Sequence, residues 1–384
     1  MTIYLDITQL NKSRANTGIQ RVVKEFLKRA LENRENIFYK IISYNADINS
    51  MELLQNSEIR EFLTDIQNYT FVKKTTIDIF SIKPTEPTIL FELDATWNAP
   101  LNRALLYPIL KENGFLIFNF IYDLTPIILP NFANEITAQN FPTFLNALYQ
   151  HSDMVFCDSY SAKNDFLHYK ESLNITREIK TEVVALGADF FKINTPLENH
   201  YIKRLLKKKY ILFVGTLEPR KNQENVLDAF EILAKTHPDL NLIFIGKQGW
   251  KIEHLIQKIE THKLKDKQLF WLNDIDDNTL SHFYQNAFLV TYLSKYEGYG
   301  LPITEALQHA NIVITSKNSS MHEVGQDFVH YILHDSTEEL IETILFYYNN
   351  PTLYNQRRKH IKQNFKTKTW DMFYETIHPF FSEF

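Results

Sequence analysis

Tyr296-Glu-Gly-Tyr-Gly-Leu-Pro-Ile-Thr-Glu305 is the stretch whose reading decides the fold. It sets Glu297 and Glu305 on either side of a Gly-x-Gly turn, Gly298-Tyr299-Gly300, which runs through Leu301 into an apolar run with helical spacing. A turn of this kind lets backbone amides approach a bound group closely, and the helix start behind it favours negative charge such as phosphate. Carboxylates do not bind phosphate; they accept hydrogen bonds from hydroxyls. The combination points to a sugar nucleotide. Glycine is scarce, 9 residues in 384, against a usual share of ~7%. Each glycine is therefore expected to mark a special backbone position. Most follow an apolar strand-like run or precede a helical one, where open parallel sheets bind ligands.

Working outward, short apolar runs alternate with helical patterns. Strands are expected at Ile3–Ile7, Ile37–Tyr44, Thr88–Leu93, Phe115–Asp123, Met154–Ser159 and Glu182–Leu186. A second series is expected at Tyr210–Val214, Leu240–Ile245, Gln268–Leu272, Phe288–Leu293 and Asn311–Thr315. Continuously apolar strands alternating with helices predict parallel sheets covered on both faces. A boundary is expected between Phe190 and Lys209, where Asn194-Thr-Pro196 and a basic run precede a fresh strand. The fold class is α/β, with two Rossmann-like, doubly wound domains facing a cleft.

Bulk properties narrow the function. The content is 44% hydrophobic and 23% charged, ordinary for a soluble globular chain. A net charge of −5 and the lack of zinc-spaced Cys/His sets argue against nucleic acid as a partner. The lone cysteine, Cys157, reads as a small buried hydrophobe. The most apolar long stretch, Phe115–Pro130, carries Asn119, Asp123 and Pro126 and falls short of the ~20 apolar residues of a membrane span. The expectation is a cytoplasmic protein, with peripheral association at the inner face of the cytoplasmic membrane left open.

The strand at Tyr210 runs into Gly215-Thr-Leu-Glu-Pro-Arg-Lys-Asn222, followed by an amphipathic helix. Asn222 is expected to cap that helix, placing Arg220 and Lys221 at its mouth as an anion site. The plain alternative is two solvated basic residues in a loop. Asp274-Ile-Asp276 has the form of a metal-binding Asp-x-Asp pair. Thr17 and Gln20 read as a capping box around Gly18, opening the helix at Ile19.

The motifs Gly215-x-Leu-x-Pro-Arg-Lys-Asn222, Ile245-Gly246, Asp274-Ile-Asp-Asp-x-x-Leu280…Tyr284, Glu297-Gly-Tyr-Gly-Leu-Pro-x-x-Glu305 and Ser319-Ser-x-x-Glu323 resemble the retaining glycosyltransferases of family 4, with the GT-B fold. The match covers about 210–330 in order and spacing. In the first half, Thr17-Gly-Ile-Gln-Arg21 and Tyr122-Asp-Leu-x-Pro126 resemble a subgroup that builds bacterial surface polysaccharides by mannosyl or deoxyhexosyl transfer. The resemblance implies an acceptor-side domain over 1–195, a linker over 196–209, a donor domain over 210–365 and a C-terminal helix over 366–384 that crosses back onto the first domain. It implies that Glu305 binds the donor ribose, Glu297 the hexose, and Arg220 and Lys221 the diphosphate. Gly215 would serve the same donor site. Backbone groups near Ile275 would hold the base, and amides over Gly298, Tyr299, Gly300 and Leu301 would meet hexose hydroxyls or phosphate. Gly18 would approach the donor phosphates. Asp123 stands where many members carry a histidine; it would position an acceptor hydroxyl, or simply cap a turn.

Two further departures are Thr216, where many members carry an arginine, and Ala310, where a glycine is common. Asp274 and Asp276 fall at the nucleobase in this pattern, so no metal is expected, and no cofactor beyond the nucleotide sugar as co-substrate. The implied activity is a retaining transfer of a hexose, GDP-mannose being the first donor to try, onto a glycan or lipid-linked glycan. A GT-B epimerase or hydrolase of nucleotide sugars, or a non-catalytic partner subunit, is the alternative.

Overall fold

In the computed structural model the chain is described over residues 1–14, 17–32, 37–189 and 196–383. It divides into two compact units, Met1–Leu186 with Trp370–Phe384, and Gly187–Thr369. Part of the expected boundary stretch, from Phe190 through Thr195, lies outside the described residues, as do Ala15 and Asn16 of the loop before Gly18. The rest of the boundary holds a helix, His200–Leu205, capped by the Asn199 side chain, which accepts from the Tyr201 amide at 2.9 Å.

Among the described residues the first unit holds an eight-stranded sheet. Its strands are β1 (Thr2–Asp6), β2 (Phe38–Asn45), β3 (Ser50–Leu54), β4 (Lys74–Ile77), β5 (Thr88–Glu92), β6 (Leu116–Ile121), β7 (Met154–Cys157) and β8 (Lys180–Val183), in the order β4-β3-β2-β1-β5-β6-β7-β8. The order reverses between β1 and β5, the switch point at which doubly wound sheets bind ligands. The sheet is not wholly parallel, contrary to expectation. β3 pairs antiparallel with β2, and β4 with β3. Both escaped the sequence reading because an edge ribbon needs no continuous apolar run; β4, Lys-Thr-Thr-Ile, has no buried residue. The strand expected at Glu182–Leu186 begins two residues early and ends at Val183.

A buried polar network ties the strand ends near the switch point. Arg103 pairs with Asp6 at the end of β1 and with Glu92 at the end of β5, where its Nε donates to Glu92 Oε1 at 2.7 Å. The Tyr107 hydroxyl donates to Glu92 and accepts from the Asn119 amide at 2.8 Å. Asp94, two residues past Glu92, accepts from the backbone amides of Leu10 and Ala95 at 2.6 and 2.8 Å. Burial pushes its carboxyl up to about 7 against these bonds. Cys157 is fully buried, and burial raises its thiol well above the ordinary range.

The C-terminal segment belongs to this unit. Helix Trp370–Ile377 and the turn after it set Phe373, Tyr374 and Phe381 among Phe26, Phe91, Phe118 and Phe120, with ring centroids 5.2–6.0 Å apart. Full burial of such a side chain stabilises by about 1.5–3 kcal/mol.

Among the described residues the second unit holds a six-stranded, all-parallel sheet of β9 (Lys209–Val214), β10 (Leu240–Ile245), β11 (Leu269–Leu272), β12 (Leu289–Tyr292), β13 (Val313–Ser316) and β14 (His330–Ile332), ordered β11-β10-β9-β12-β13-β14. Its switch point lies between β9 and β12, so the loops leaving those strands are neighbours. β14, a short edge strand, was not foreseen.

Replacing Arg103 by methionine strands Asp6 and Glu92 as buried carboxylates. Urea unfolding at neutral pH is expected to show a loss of about 3–5 kcal/mol, shrinking at lower pH as Glu92, whose carboxyl burial already raises, protonates.

Candidate functional site

The loops at the switch point of the second unit are fixed by close backbone approach. Gly215 and Gly246, leaving β9 and β10, have φ of +148° and +150°. A Cβ on Gly246 would lie 2.1 Å from the Gly215 carbonyl oxygen. The Leu217 amide donates to the Lys247 carbonyl, and the Gly249 amide to the Leu217 carbonyl, both at 2.9 Å. Only glycine lets the two loops lie in contact. That fixes the short 3-10 turn Pro219–Lys221 that carries the two cations.

Arg220 and Lys221 are brought together with Glu297, whose Oε1 receives Arg220 Nη1 and Lys221 Nζ, each at 2.8 Å. Arg220 also pairs with Glu218 at 2.6 Å and donates to the Tyr296 carbonyl. Lys221 donates to the Tyr292 hydroxyl and lies over that ring, 4.8 Å from its centroid. None of the four charged side chains is more than 11% exposed. Burial alone would raise the Glu297 carboxyl, but Arg220 and Lys221 outweigh it and hold it at about 2. Burial first, and Glu297 second, push the Tyr292 phenol well above its usual value. The two cations expected to form an anion site are therefore paired here with Glu218 and Glu297.

The segment from Glu297 to Glu305 is held from below. The Glu297 amide donates to Ser319 Oγ at 2.8 Å, and Ser320 Oγ donates to the carbonyls of Glu297 and Tyr299 at 2.9 Å. Gly300 takes φ +98° at the start of helix Leu301–Gln308. Glu305, one turn into that helix and 3% exposed, accepts from the Tyr284 hydroxyl at 2.9 Å. The Tyr284 ring stacks on His309 at 5.7 Å. Gly298, Tyr299 and Gly300 are buried, while Leu301 and Ile275 are half-buried. Ile275 lies in the loop between β11 and helix Asp277–Asn286, which Asp276 caps by accepting from the Thr279 amide at 2.6 Å. Among the described residues no group of three or more His, Cys, Asp or Glu is placed to hold a metal ion.

Three readings need correction or refinement. Asn222 does not cap the helix after it with its side chain; it adopts φ +58° and its amide donates to the His334 carbonyl. The Thr17 hydroxyl meets the Gln20 side chain rather than forming the expected capping box, and exposed Gly18 opens helix Gly18–Glu32. Asp123 does what its simpler reading implied: Oδ1 accepts from the Thr125 amide at 2.8 Å at the start of a short helix. Gly18 and Asp123 belong to the first unit, the remaining site residues to the second. Glu218 and Tyr292 were missed. The signal for Glu218 was its place two residues before Arg220; Tyr292 looked like one more apolar strand residue.

The second unit has the fold of one half of a GT-B protein. Over 100% of both chains, the structure matches HepE of Anabaena in complex with UDP and glucose, at a TM-score of 0.67 and 14% identity. In an alignment 384 positions long that covers 96% of this chain, it is 26% identical to the serotype-specific mannosyltransferase WbdA of Escherichia coli. That alignment covers 43% of the relative, so the chain spans less than half its length. A 119-residue stretch is 36% identical to the O-antigen chain mannosyltransferase B of Escherichia coli, covering 31% of each protein. The sequence model of the family described as glycosyl transferases group 1 matches residues 198–367. That match covers less than half of the chain, and the fold is of the GT-B type.

Glu297 supplies an acid-stability test. Its carboxyl is ordinarily near 4.5 and is held at about 2 in the fold. A depressed acid contributes stability that is fully present above its unfolded value and lost as pH falls through the folded one. Glu297→Gln is expected to flatten the loss of stability between roughly pH 4.5 and 2, a linkage on the order of 3 kcal/mol. Urea midpoints measured across that window check it; equal pH slopes for both proteins would contradict it.

Proposed function

We propose that the chain is a retaining, metal-independent hexosyltransferase acting from a nucleotide-diphosphate sugar onto a glycan or lipid-linked glycan in bacterial surface-polysaccharide synthesis. GDP-mannose is the first donor to test. The observation that carries this reading is the buried meeting of Arg220, Lys221 and Glu297 beside the Gly300 helix start. The mannosyltransferase names of the relatives support the choice of sugar.

In this reading Glu305, oriented by Tyr284, accepts from the donor ribose hydroxyls. Backbone groups near Ile275 hold the base, and Gly215 lets the diphosphate come close to the β9 loop. Arg220 and Lys221 neutralise the departing diphosphate, and amides over Gly298, Tyr299, Gly300 and Leu301 meet hexose hydroxyls or phosphate oxygens. Glu297 contacts the hexose near its reacting carbon. The acceptor hydroxyl attacks that carbon on the face the diphosphate vacates; the bond from carbon to the phosphate oxygen breaks and the hydroxyl proton passes to the departing diphosphate, so no enzymic nucleophile takes part. Fixed charge at the leaving group and alignment of the reactants lower the barrier. Gly18 serves the donor phosphates and Asp123 the acceptor side. The reaction is assigned to the cytoplasm.

A thermal-shift series with GDP, UDP, dTDP and ADP tests the reading. The cognate nucleotide at a hundredfold excess over its Kd is expected to stabilise by about 2.7 kcal/mol. Glu305→Ala is expected to abolish that shift, whereas Glu297→Ala should lose turnover more than nucleotide binding. No shift with any nucleotide would refute the proposal.

A further inference from the structure

The charges around Glu297 cancel, and this bears on how a diphosphate enters and leaves. Arg220 is locked between Glu218, Glu297 and the Tyr296 carbonyl. Lys221 has one acid partner, Glu297, and one neutral partner, Tyr292. A diphosphate brought to a neutral cluster gains little Coulomb energy unless one acid gives up its cation. Glu218 holds Arg220, a planar fork with several donors fixed at once, and is poorly placed to yield. Lys221 ends a flexible four-carbon arm, and the Tyr292 hydroxyl, itself bonded to Glu297, also accepts from its ammonium and can go on holding it when the direct contact to Glu297 opens. The contact between Lys221 and Glu297 is therefore the one that can exchange.

We infer that Glu297 is an internal counter-ion which the donor's diphosphate displaces from Lys221, and which recaptures Lys221 once the hexose has gone. The inference rests on the proposed function and deepens it. With donor bound, Lys221 turns about Tyr292 onto a phosphate oxygen, and the freed Glu297 oxygen accepts from a hexose hydroxyl. One exchange makes two contacts. After transfer the nucleoside diphosphate carries no hexose, so Glu297 loses its replacement partner and competes for Lys221 again. The device weakens the product relative to the donor and favours its release. Glu297 thus acts on the leaving diphosphate through Lys221, in addition to its contact with the sugar.

Glu297→Gln keeps the shape of the side chain and removes its charge. Titration calorimetry with whichever of GDP, UDP, dTDP and ADP most stabilises the unmodified chain is expected to give a Kd about tenfold lower in the variant. The product-inhibition constant should fall with it while turnover drops. An unchanged or weaker affinity in a variant that melts cooperatively overturns the inference. Should that variant not fold, a structure of the unmodified protein with the nucleoside diphosphate bound decides. Lys221 Nζ on a phosphate oxygen and more than ~4 Å from Glu297 supports the exchange. A retained 2.8 Å pair beside bound diphosphate overturns it. If the unmodified chain binds no nucleoside diphosphate, or Glu305→Ala leaves its affinity unchanged, the proposed function and this inference fall together. If binding is present and lost in Glu305→Ala, but Glu297→Gln does not tighten it, the counter-ion exchange alone falls.

Discussion

One oxygen of Glu297 is shared by Arg220 and Lys221 in a setting from which water is largely excluded. Each of these ions costs several kcal/mol to bury, and their mutual attraction offsets that only when the geometry is held. Much of the second unit's strand-end architecture supplies the holding. The β9 loop brings Glu218, Arg220 and Lys221, β12 brings Tyr292, and the loop after β12 brings Glu297. Ser319 and Ser320, following β13, pin that last loop from beneath. The Lys295 amide, donating to the Arg220 carbonyl at 2.9 Å, stitches the β9 and β12 loops directly.

The glycines follow from the same constraint. Gly246 sits where a side chain would collide with the Gly215 carbonyl, so the loops after β9 and β10 can be neighbours. Gly300 takes a left-handed conformation at the mouth of the helix that carries Glu305. The two acids of the opening motif therefore have different surroundings. Glu297 lies among cations in a turn, while Glu305 lies within a helix against a neutral phenol. A carboxylate held by two cations suits exchange with a charged group; one held by a hydroxyl suits neutral hydroxyl recognition.

The second unit was more legible in the sequence than the first because its strands are buried on both faces and its special residues sit at strand ends. β9 and β10, each with an apolar run ending at a glycine, were read nearly to the residue. β3 and β4 were not, since an antiparallel edge ribbon leaves no apolar run to find. The site residues were legible by type, Arg220, Lys221, Glu297 and Glu305 all being charged groups beside glycine turns. Their pairing was not, because a sequence does not show which acid neutralises which base across more than 70 positions. Asn222 misled for a related reason: its amide is used by a distant carbonyl, His334, and not by its own helix. Ala310, at φ +57°, occupies a left-handed position that usually favours glycine.

The central claim is a transfer with retention from a nucleotide sugar held by the second unit. Proton NMR of the product formed from an α-configured nucleotide hexose, with a glycan acceptor and EDTA present, tests it most directly. The account predicts an α-linked hexose, with one nucleoside diphosphate released per linkage formed. A β-linked product, or no transfer without added metal, would contradict it.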